Sequence, residues 1–360
     1  MQDLRGVPVV LQAGNGGGSV SVPTTRDLTT LGMVARGVLD LSSVTQASSF
    51  RLPYPPNLQR SLDSLVLAGL TRGSAVPSGV PGLLAMCREL EPAAWPLALP
   101  VNFLAPDTRL IHRIAGEPTR SCAELTSLDH DGLPEKADAM LNELLTACGT
   151  AERFMECRSF LLHRPVILRH DPMRMRPTML PIWKLVRHLY EPVPERFVIE
   201  GLLHQCKGCG LLAKALPSQR PWCEGGCPLE LDRLEATDQP KRALALDVAL
   251  RLFLCLPGLV EPEGPFPPLL PERGVHRYVD QAGSPRAVLF QDFEQPGPAA
   301  LRAGRVASLL GDPLDVVVPD STAARAGYLR GFHGALPGNV EVLLLSKSQF
   351  DASQPRRSDA

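Results

Sequence analysis

Lysine is scarce in this 360-residue chain, with six lysines against 31 arginines. Arginine bias follows genomic base composition in part, but the planar guanidinium also grips phosphate at two points, so a phosphate-bearing ligand stays in view. Net charge is small as well. At −1 for the whole chain, no global field advertises nucleic-acid binding, and any such surface has to be local. A long uncharged apolar run is missing too. The most apolar helix-length stretch, Ala243 to Val260, is interrupted by Asp247 and Arg251 and ends at Pro257-Gly258, which argues against a membrane span and predicts a core segment. The start MQDLRGVPVVLQ lacks a charged leader followed by an apolar core and a small-residue cleavage site, so we expect no export signal and a cytoplasmic protein.

Three enzyme signatures are also absent. The stretch Gly14 to Ser19 is rich in glycine but lacks the Gly-Lys-Ser/Thr ending of a phosphate loop, and reads as a flexible loop. Ser78 lies in a Pro-Ser-Gly turn with His112 and His130 elsewhere in the chain, yet no nucleophile elbow frames it. A dinucleotide site needs a glycine-rich turn after a strand, and Phe293 to Pro298 offers none.

What the chain does hold is proline, 36 residues, about twice average usage. They cluster in Pro53-Tyr54-Pro55-Pro56 and between Pro262 and Pro268, so long helices should be few. A hydrophobic fraction of 44% is ample for two or three domains with sizeable cores. Leu58 to Leu70 and Val80 to Leu90 carry helical apolar periods and read as core helices.

Nine cysteines are present, and four are organised as Cys206-x-x-Cys209 and Cys223-x-x-x-Cys227, with thirteen residues between the pairs. Two thiolate pairs on tight turns can close a tetrahedron around Zn²⁺, and Gly208, Gly210, Gly225 and Gly226 supply the backbone freedom that such turns need. We read a structural zinc ribbon. The competing readings are buried, unliganded thiols or two disulfides. Cys87, Cys122, Cys148, Cys157 and Cys255 have no paired spacing and read as reduced core residues.

Charge becomes unequal between Arg158 and Tyr190. There Arg158, Arg164, Arg169, Arg174, Arg176, Lys184 and Arg187 face only Asp171, a local balance of +6. His163, His170, His188, Trp183 and Tyr190 are interleaved, groups able to stack on bases while the cations meet phosphates. This favours nucleic acid or an acidic partner. The competing reading is a solvated loop whose arginines pair with acids elsewhere in the fold. From Thr178 the apolar spacing predicts an amphipathic helix, and Arg196 to Leu203 a further element leading into the first cysteine pair.

After the cysteines the chain reads as a small α/β domain. We expect a leading helix at Arg242 to Leu256, strands at Val275 to Asp280 and Ala287 to Phe293, and a helix at Pro298 to Leu310. A strand at Asp315 to Val318, a helix at Thr322 to Leu336 and a strand at Val340 to Leu345 come next. Parallel crossovers join the last three strands, and the tail from Gln349 reads as disordered.

The order Pro257-Gly258-Leu259-Val260-Glu261, then Gly274-Val275 and a strand ending at Asp280, then Val288-Leu289-Phe290-Gln291-Asp292, resembles the restriction-endonuclease-like nucleases. More narrowly, the chain resembles the endonuclease-like protein encoded beside prokaryotic PIWI-RE proteins in three-gene islands. Leu58-Gln59-Arg60 to Pro77-Ser78-Gly79-Val80-Pro81 and Gly116-Glu117-Pro118-Thr119-Arg120-Ser121-Cys122 look similar to its helper domain. The fold class expected is therefore α/β and multidomain. A mostly helical helper domain would occupy residues 1–157, a basic helical connector 158–200 and the zinc ribbon 201–232. A restriction-endonuclease-like α/β domain would occupy 240–348, with a disordered tail at 349–360.

The resemblance implies an acid near a helix, an Asp at a strand end and an Asp/Glu-x-Lys strand, which together hold Mg²⁺ for phosphodiester hydrolysis. Glu261 fits the first and Asp280 the second. The third departs: Leu289-Phe290-Gln291 stands in place of the acid and lysine, followed by Asp292. Side chains alternate along a strand, so Asp292 points away from the Leu289 face unless a bulge intervenes. Glu261 in a proline-rich loop, Asp280 as a turn cap and Asp292 flanking a strand end are the non-catalytic readings. The expectation is a nucleic-acid-binding accessory subunit of a PIWI-RE defence system against invading DNA, with an inactive nuclease-like domain. The alternative is an active Mg²⁺-dependent DNA endonuclease of the same system. The resemblance further implies two partners, a PIWI-RE protein and a DinG-like helicase, acting on DNA or on a guide and its target.

Overall fold

A computed structural model describes residues 25–44, 54–128, 133–168, 175–191, 197–198, 202–207, 211–216, 219–223, 231–235, 240–244, 267–280 and 282–353. The first layer is helical. It contains α1 (Thr25–Val44), α2 (Pro56–Arg72), α3 (Val80–Glu89) and α4 (Arg120–Leu125). Helix α2 begins on Pro56, where a missing N–H costs nothing, and stops at Gly73, whose φ of 63° lets its amide cap the last turn. The two expected core helices are thus α2 and α3. Leu58, Leu65 and Leu83 are fully buried with Leu31, Val34 and Leu110, and each contributes roughly 1.5–3 kcal/mol. A Cβ on Gly37 would stand 2.7 Å from Leu58 Cα, so glycine lets α1 meet α2 backbone to backbone.

A second helical cluster is built from α5 (Leu133–Cys148), α6 (Ala151–His163) and α7 (Leu180–Val186). Leu144, Phe154, Leu161, Val186, Leu189 and Tyr190 form its core. The domain boundary expected at residues 157 and 158 is not observed, because helix α6 runs through it. Arg158 faces inward, 1% exposed, since its position on α6 points at this core. The expected amphipathic helix after Thr178 is α7, flanked by single 3₁₀ turns at Pro177–Met179 and Arg187–Leu189.

Short strands tie this cluster to the chain beyond the cysteines. Strand β1 (Val166–Leu168) pairs with β7 (Pro240–Leu244), which also pairs with β2 (Tyr190–Glu191), giving the order β1-β7-β2. Arg242 therefore begins no helix, a correction: residues 240–244 are the middle strand of a sheet, where two neighbours supply the backbone partners that override helix propensity. Residues 245–256 lie outside the described residues. Between β2 and β7 come β3 (Leu202–Cys206), β4 (Ala213–Leu216), β5 (Gln219–Cys223) and β6 (Leu231–Glu235), with β3 antiparallel to β6 and β4 antiparallel to β5.

The C-terminal sheet has five strands, β8 (Pro268–Leu270), β9 (Val275–Val279), β10 (Pro285–Phe290), β11 (Leu314–Val318) and β12 (Val342–Ser346), lying side by side in chain order. β8, β9 and β10 are antiparallel neighbours, and β10, β11 and β12 are parallel. Helix α8 (Pro296–Leu310) makes the first crossover; α9 (Asp320–Ala323) and α10 (Tyr328–Ala335) make the second. The expected strands, helix order and parallel crossovers are present, except that β10 ends at Phe290 rather than Phe293, and three further differences appear. Gly327, at φ 77°, splits the single helix expected at 322–336. The proline-rich run contributes β8. In place of a tail at Gln349 the chain forms α11 (Lys347–Ser353), anchored by buried Phe350.

Alternation along the strands gives the sheet two apolar faces. Ala287, Leu289, Leu314, Val316 and Val318 pack with α8 and α10 through Ala299, Ala303 and Phe332. Val288, Phe290 and Val317 face the other way, toward Tyr278 and Phe350. On that second face the buried Asp315 carboxylate receives Arg286 Nε at 2.7 Å and the Tyr278 hydroxyl. Among the described residues no helix is long and apolar enough to cross a membrane.

Candidate functional site

The strand-end acid expected to hold a metal is consumed by a turn. Asp280 Oδ1 accepts the amides of Ala282 and Ser284, each at 2.9 Å, and its own amide donates to Ser284 O. It closes the β9–β10 hairpin, with Gly283 at φ 81° completing the reversal. Gln291 and Asp292 come after the opposite end of β10, six strand residues away, which at about 3.3 Å per residue is roughly 20 Å. The geometry therefore does not bring Asp280 together with Gln291 or Asp292, because an antiparallel hairpin keeps its turn and its open end apart. Glu261 lies outside the described residues.

Gln291 and Asp292 instead open a loop that docks on the N-terminal helical layer. Gln291 is fully buried, donating from Nε2 to Ala299 O at 3.2 Å, while its amide donates to Val317 O. The Asp292 carboxylate receives Arg120 Nη2 at 2.9 Å and Thr322 Oγ1 at 3.2 Å. Arg120 also reaches the Asp292 carbonyl and Glu124. Glu124, fully buried, accepts the amides of Glu294 at 2.7 Å and Gln295 at 2.9 Å, the last two before α8. A carboxylate there complements the positive end of the helix. Burial is the largest influence on Glu124 and pushes its pKa up to about 8, against the opposing pull of Arg120 and the two amides.

The same loop is fixed from further points. Gln295 accepts from Ala105 N and Thr108 Oγ1 and donates to Ser121 Oγ at 2.8 Å. Gly297 N donates to Phe103 O, and a Cβ at that position would stand 2.3 Å from the Phe103 ring. Gly331 is equally constrained, its would-be Cβ 1.9 Å from Asn102 O. Sequence reasoning missed this junction. The available signal was Arg120 and Glu124, an i,i+4 ion pair inside the otherwise uncharged stretch Pro118 to Leu128.

The basic stripe divides by exposure. Arg176, Lys184, Arg187 and His188 are exposed on and around α7, whereas Arg164 is half-buried, its guanidinium 5.7 Å from the Phe160 ring centroid. Arg169, Arg174 and His170 lie outside the described residues. Of the rings expected to stack on bases, Trp183 and Tyr190 are turned inward, a second correction, while His163 and His188 are exposed. The Trp183 ring packs against Phe160 and Tyr190, with centroids at 6.4 and 5.4 Å, and the Tyr190 hydroxyl donates to Arg164 O at 2.7 Å. These rings complete the α6–α7 core.

Two of the four spaced cysteines are described. Cys206 ends β3, and its amide donates to Leu211 O at 2.8 Å, closing the turn; Gln205 bridges to Leu212, and Ala213 pairs with Cys223. This register sets Cys206 and Cys223 on the two strands flanking the start of β4, both thiols buried. Cys209 and Cys227 lie outside the described residues. Among the described residues no group of three or more His, Cys, Asp or Glu converges. The Trp222 ring lies tilted against His112, with centroids at 4.7 Å, and Leu211 packs into the cluster of Val186, Leu189 and Tyr190, which rests this turn against the basic helical cluster. Of the remaining cysteines, Cys87, Cys122 and Cys157 are buried and Cys148 half-buried, as expected of core residues, and Cys255 lies outside the described residues.

Residues 30–168 match the family model of the pPIWI_RE three-gene island domain Y. The match spans α1 to β1 and supports an association with the PIWI-RE island, an arrangement that implies partner proteins of that system. No curated protein and no solved structure matches the chain.

Proposed function

We propose that this chain is a nucleic-acid-binding accessory subunit of a PIWI-RE defence system against invading DNA, and that its C-terminal α/β unit is a docking module without cleavage activity of its own. The observation that carries the reading is the fate of Asp292. The one carboxylate beside the expected motif is already engaged by Arg120 and Thr322, and Asp280 is held in a turn at the far end of β10. These residues do not fit a Mg²⁺ site, so no hydrolytic step is assigned to them. The side-by-side strand order, with β9 antiparallel to both neighbours, agrees with a nuclease-like fold put to another use.

The cysteines fit a structural zinc. Cys206 and Cys223 are buried on β3 and β5, on either side of the start of β4, and Cys209 and Cys227 would complete a four-thiolate set at ribbon spacing. Bound zinc would order the β3–β6 segment, and Leu211 would hold that segment against α7. Phosphate contacts then fall to Arg176, Lys184 and Arg187, with Arg164, Arg169 and Arg174 along the same stretch. The PIWI-RE protein and a DinG-like helicase are the partners in this reading.

The test is to incubate the purified chain, alone and with its partners, with plasmid, R-loop and single-stranded DNA in the presence of Mg²⁺ or Mn²⁺. Binding without cleavage is expected. Cleavage by the chain alone that disappears in both Asp280→Ala and Glu261→Ala would overturn the reading in favour of an endonuclease.

A further inference from the structure

Among the described residues the exposed cations Arg176, Lys184 and Arg187 have no exposed Phe, Tyr or Trp beside them, and the exposed ring there is the small imidazole of His188. Arg176, Lys184, Arg187 and His188 face solvent, while Trp183 is packed between Phe160 and Tyr190, and Tyr190 is 3% exposed. The pattern extends over the whole described surface: every Phe, Tyr and Trp among the described residues is buried or half-buried. Of the half-buried ones, Trp222 lies against His112 and Tyr54 packs on the first helical core. Proteins that hold single strands without sequence preference combine a basic groove with aromatic side chains on which successive bases stack. The described part of this surface supplies the charges without an exposed Phe, Tyr or Trp platform.

Resting on the nucleic-acid reading above, we infer that the α7 face engages the phosphodiester backbone alone and that its ligand is double-helical nucleic acid. A duplex presents about one charge per 1.7 Å of axis, denser than a single strand, and exchanges more condensed counterions per contact. Cations on a rigid helical support then favour the duplex, and they read no bases. Sequence selection in the complex is left to partners or to base pairing with a guide.

The experiment uses the full chain and fluorescence anisotropy with fluorescent oligonucleotides of equal length: mixed-sequence duplex, its separated strand, oligo-dT and oligo-dA, over a salt series. The expected result is tighter binding of the duplex, no difference between oligo-dT and oligo-dA, and a duplex salt slope that falls by about 1.8 when Arg176 and Lys184 are both replaced by alanine. Trp183→Leu keeps the apolar packing and should leave affinity within about twofold, as for a ring that touches no base. Tighter binding of a single strand, a preference among homopolymers, or loss of affinity in a Trp183→Leu protein that retains its circular dichroism would overturn this inference while sparing the nucleic-acid reading. Failure to bind any oligonucleotide while binding the PIWI-RE partner in a salt-sensitive manner would overturn both and assign the face to an acidic protein surface.

Discussion

Glu124 is a carboxylate surrounded by opposing instructions: complete burial favours its neutral form, while Arg120 and the amides of Glu294 and Gln295 favour the charged one. Its pKa lies near 8 in the folded chain against an ordinary 4.5. A raised carboxyl pKa contributes stability that is intact below the unfolded value and is lost as pH rises through the folded one. Urea unfolding monitored from about pH 5 to about pH 9 should therefore show falling stability, and Glu124→Gln should flatten that dependence. Arg120→Ala leaves Asp292 and Glu124 buried without their cation, and should cost about 3–5 kcal/mol in the same assay. Gly297→Ala forces a methyl into the Phe103 ring, 2.3 Å from where the new carbon would stand, with an expected loss of about 1–3 kcal/mol. None of these residues stood out in the sequence as a site. A lone ion pair in an otherwise uncharged stretch carries no address, and the loop it serves lies some 170 positions further on.

Elements were legible where periodicity and punctuation agreed. Helices α2 and α3, strands β9 to β12 and helix α8 arise directly from apolar spacing bounded by Gly and Pro. Where the outcome depended on a distant partner, the sequence misled. Arg242 to Leu244 reads as helix but pairs with β1 and β2, and Gly327 inside a helical period marks a break. The site split the same way: exposed Arg176, Lys184 and Arg187 could be named from charge, but the inward turn of Trp183 and Tyr190 depends on Phe160, a residue of another helix. If zinc orders the β3–β6 segment, a strong chelator should release roughly one metal per chain and raise amide exchange in β3 to β6, leaving β9 to β12 protected. Cys206→Ser should reproduce that pattern without chelator. Unchanged exchange in β3 to β6 after chelation would remove zinc from the account.

At the scale of the molecule, the segment similar to domain Y and the C-terminal sheet share an interface too polar and too well bonded to be a casual contact. Buried Asp292, Glu124 and Gln295 are all bonded across it, and Leu301 and Ala335 from the C-terminal helices pack onto the first helical core. The two parts should unfold together. Calorimetry of the full chain is expected to give one transition covering both, shifted as a whole by Arg120→Ala, whereas two separate transitions would mean that the junction contributes little.

Residues 192–239 depart from β2 and return at β7 of the small sheet β1-β7-β2, and those two strands are paired, Glu191 opposite Ala243. The intervening cysteine-bearing segment is a cassette whose two ends are clamped together by the host. Closing it adds little entropy cost even if its length drifts, since each doubling of a loop adds only about 0.6 kcal/mol. Such a cassette can be lengthened, shortened or exchanged between relatives without disturbing the frame that carries it.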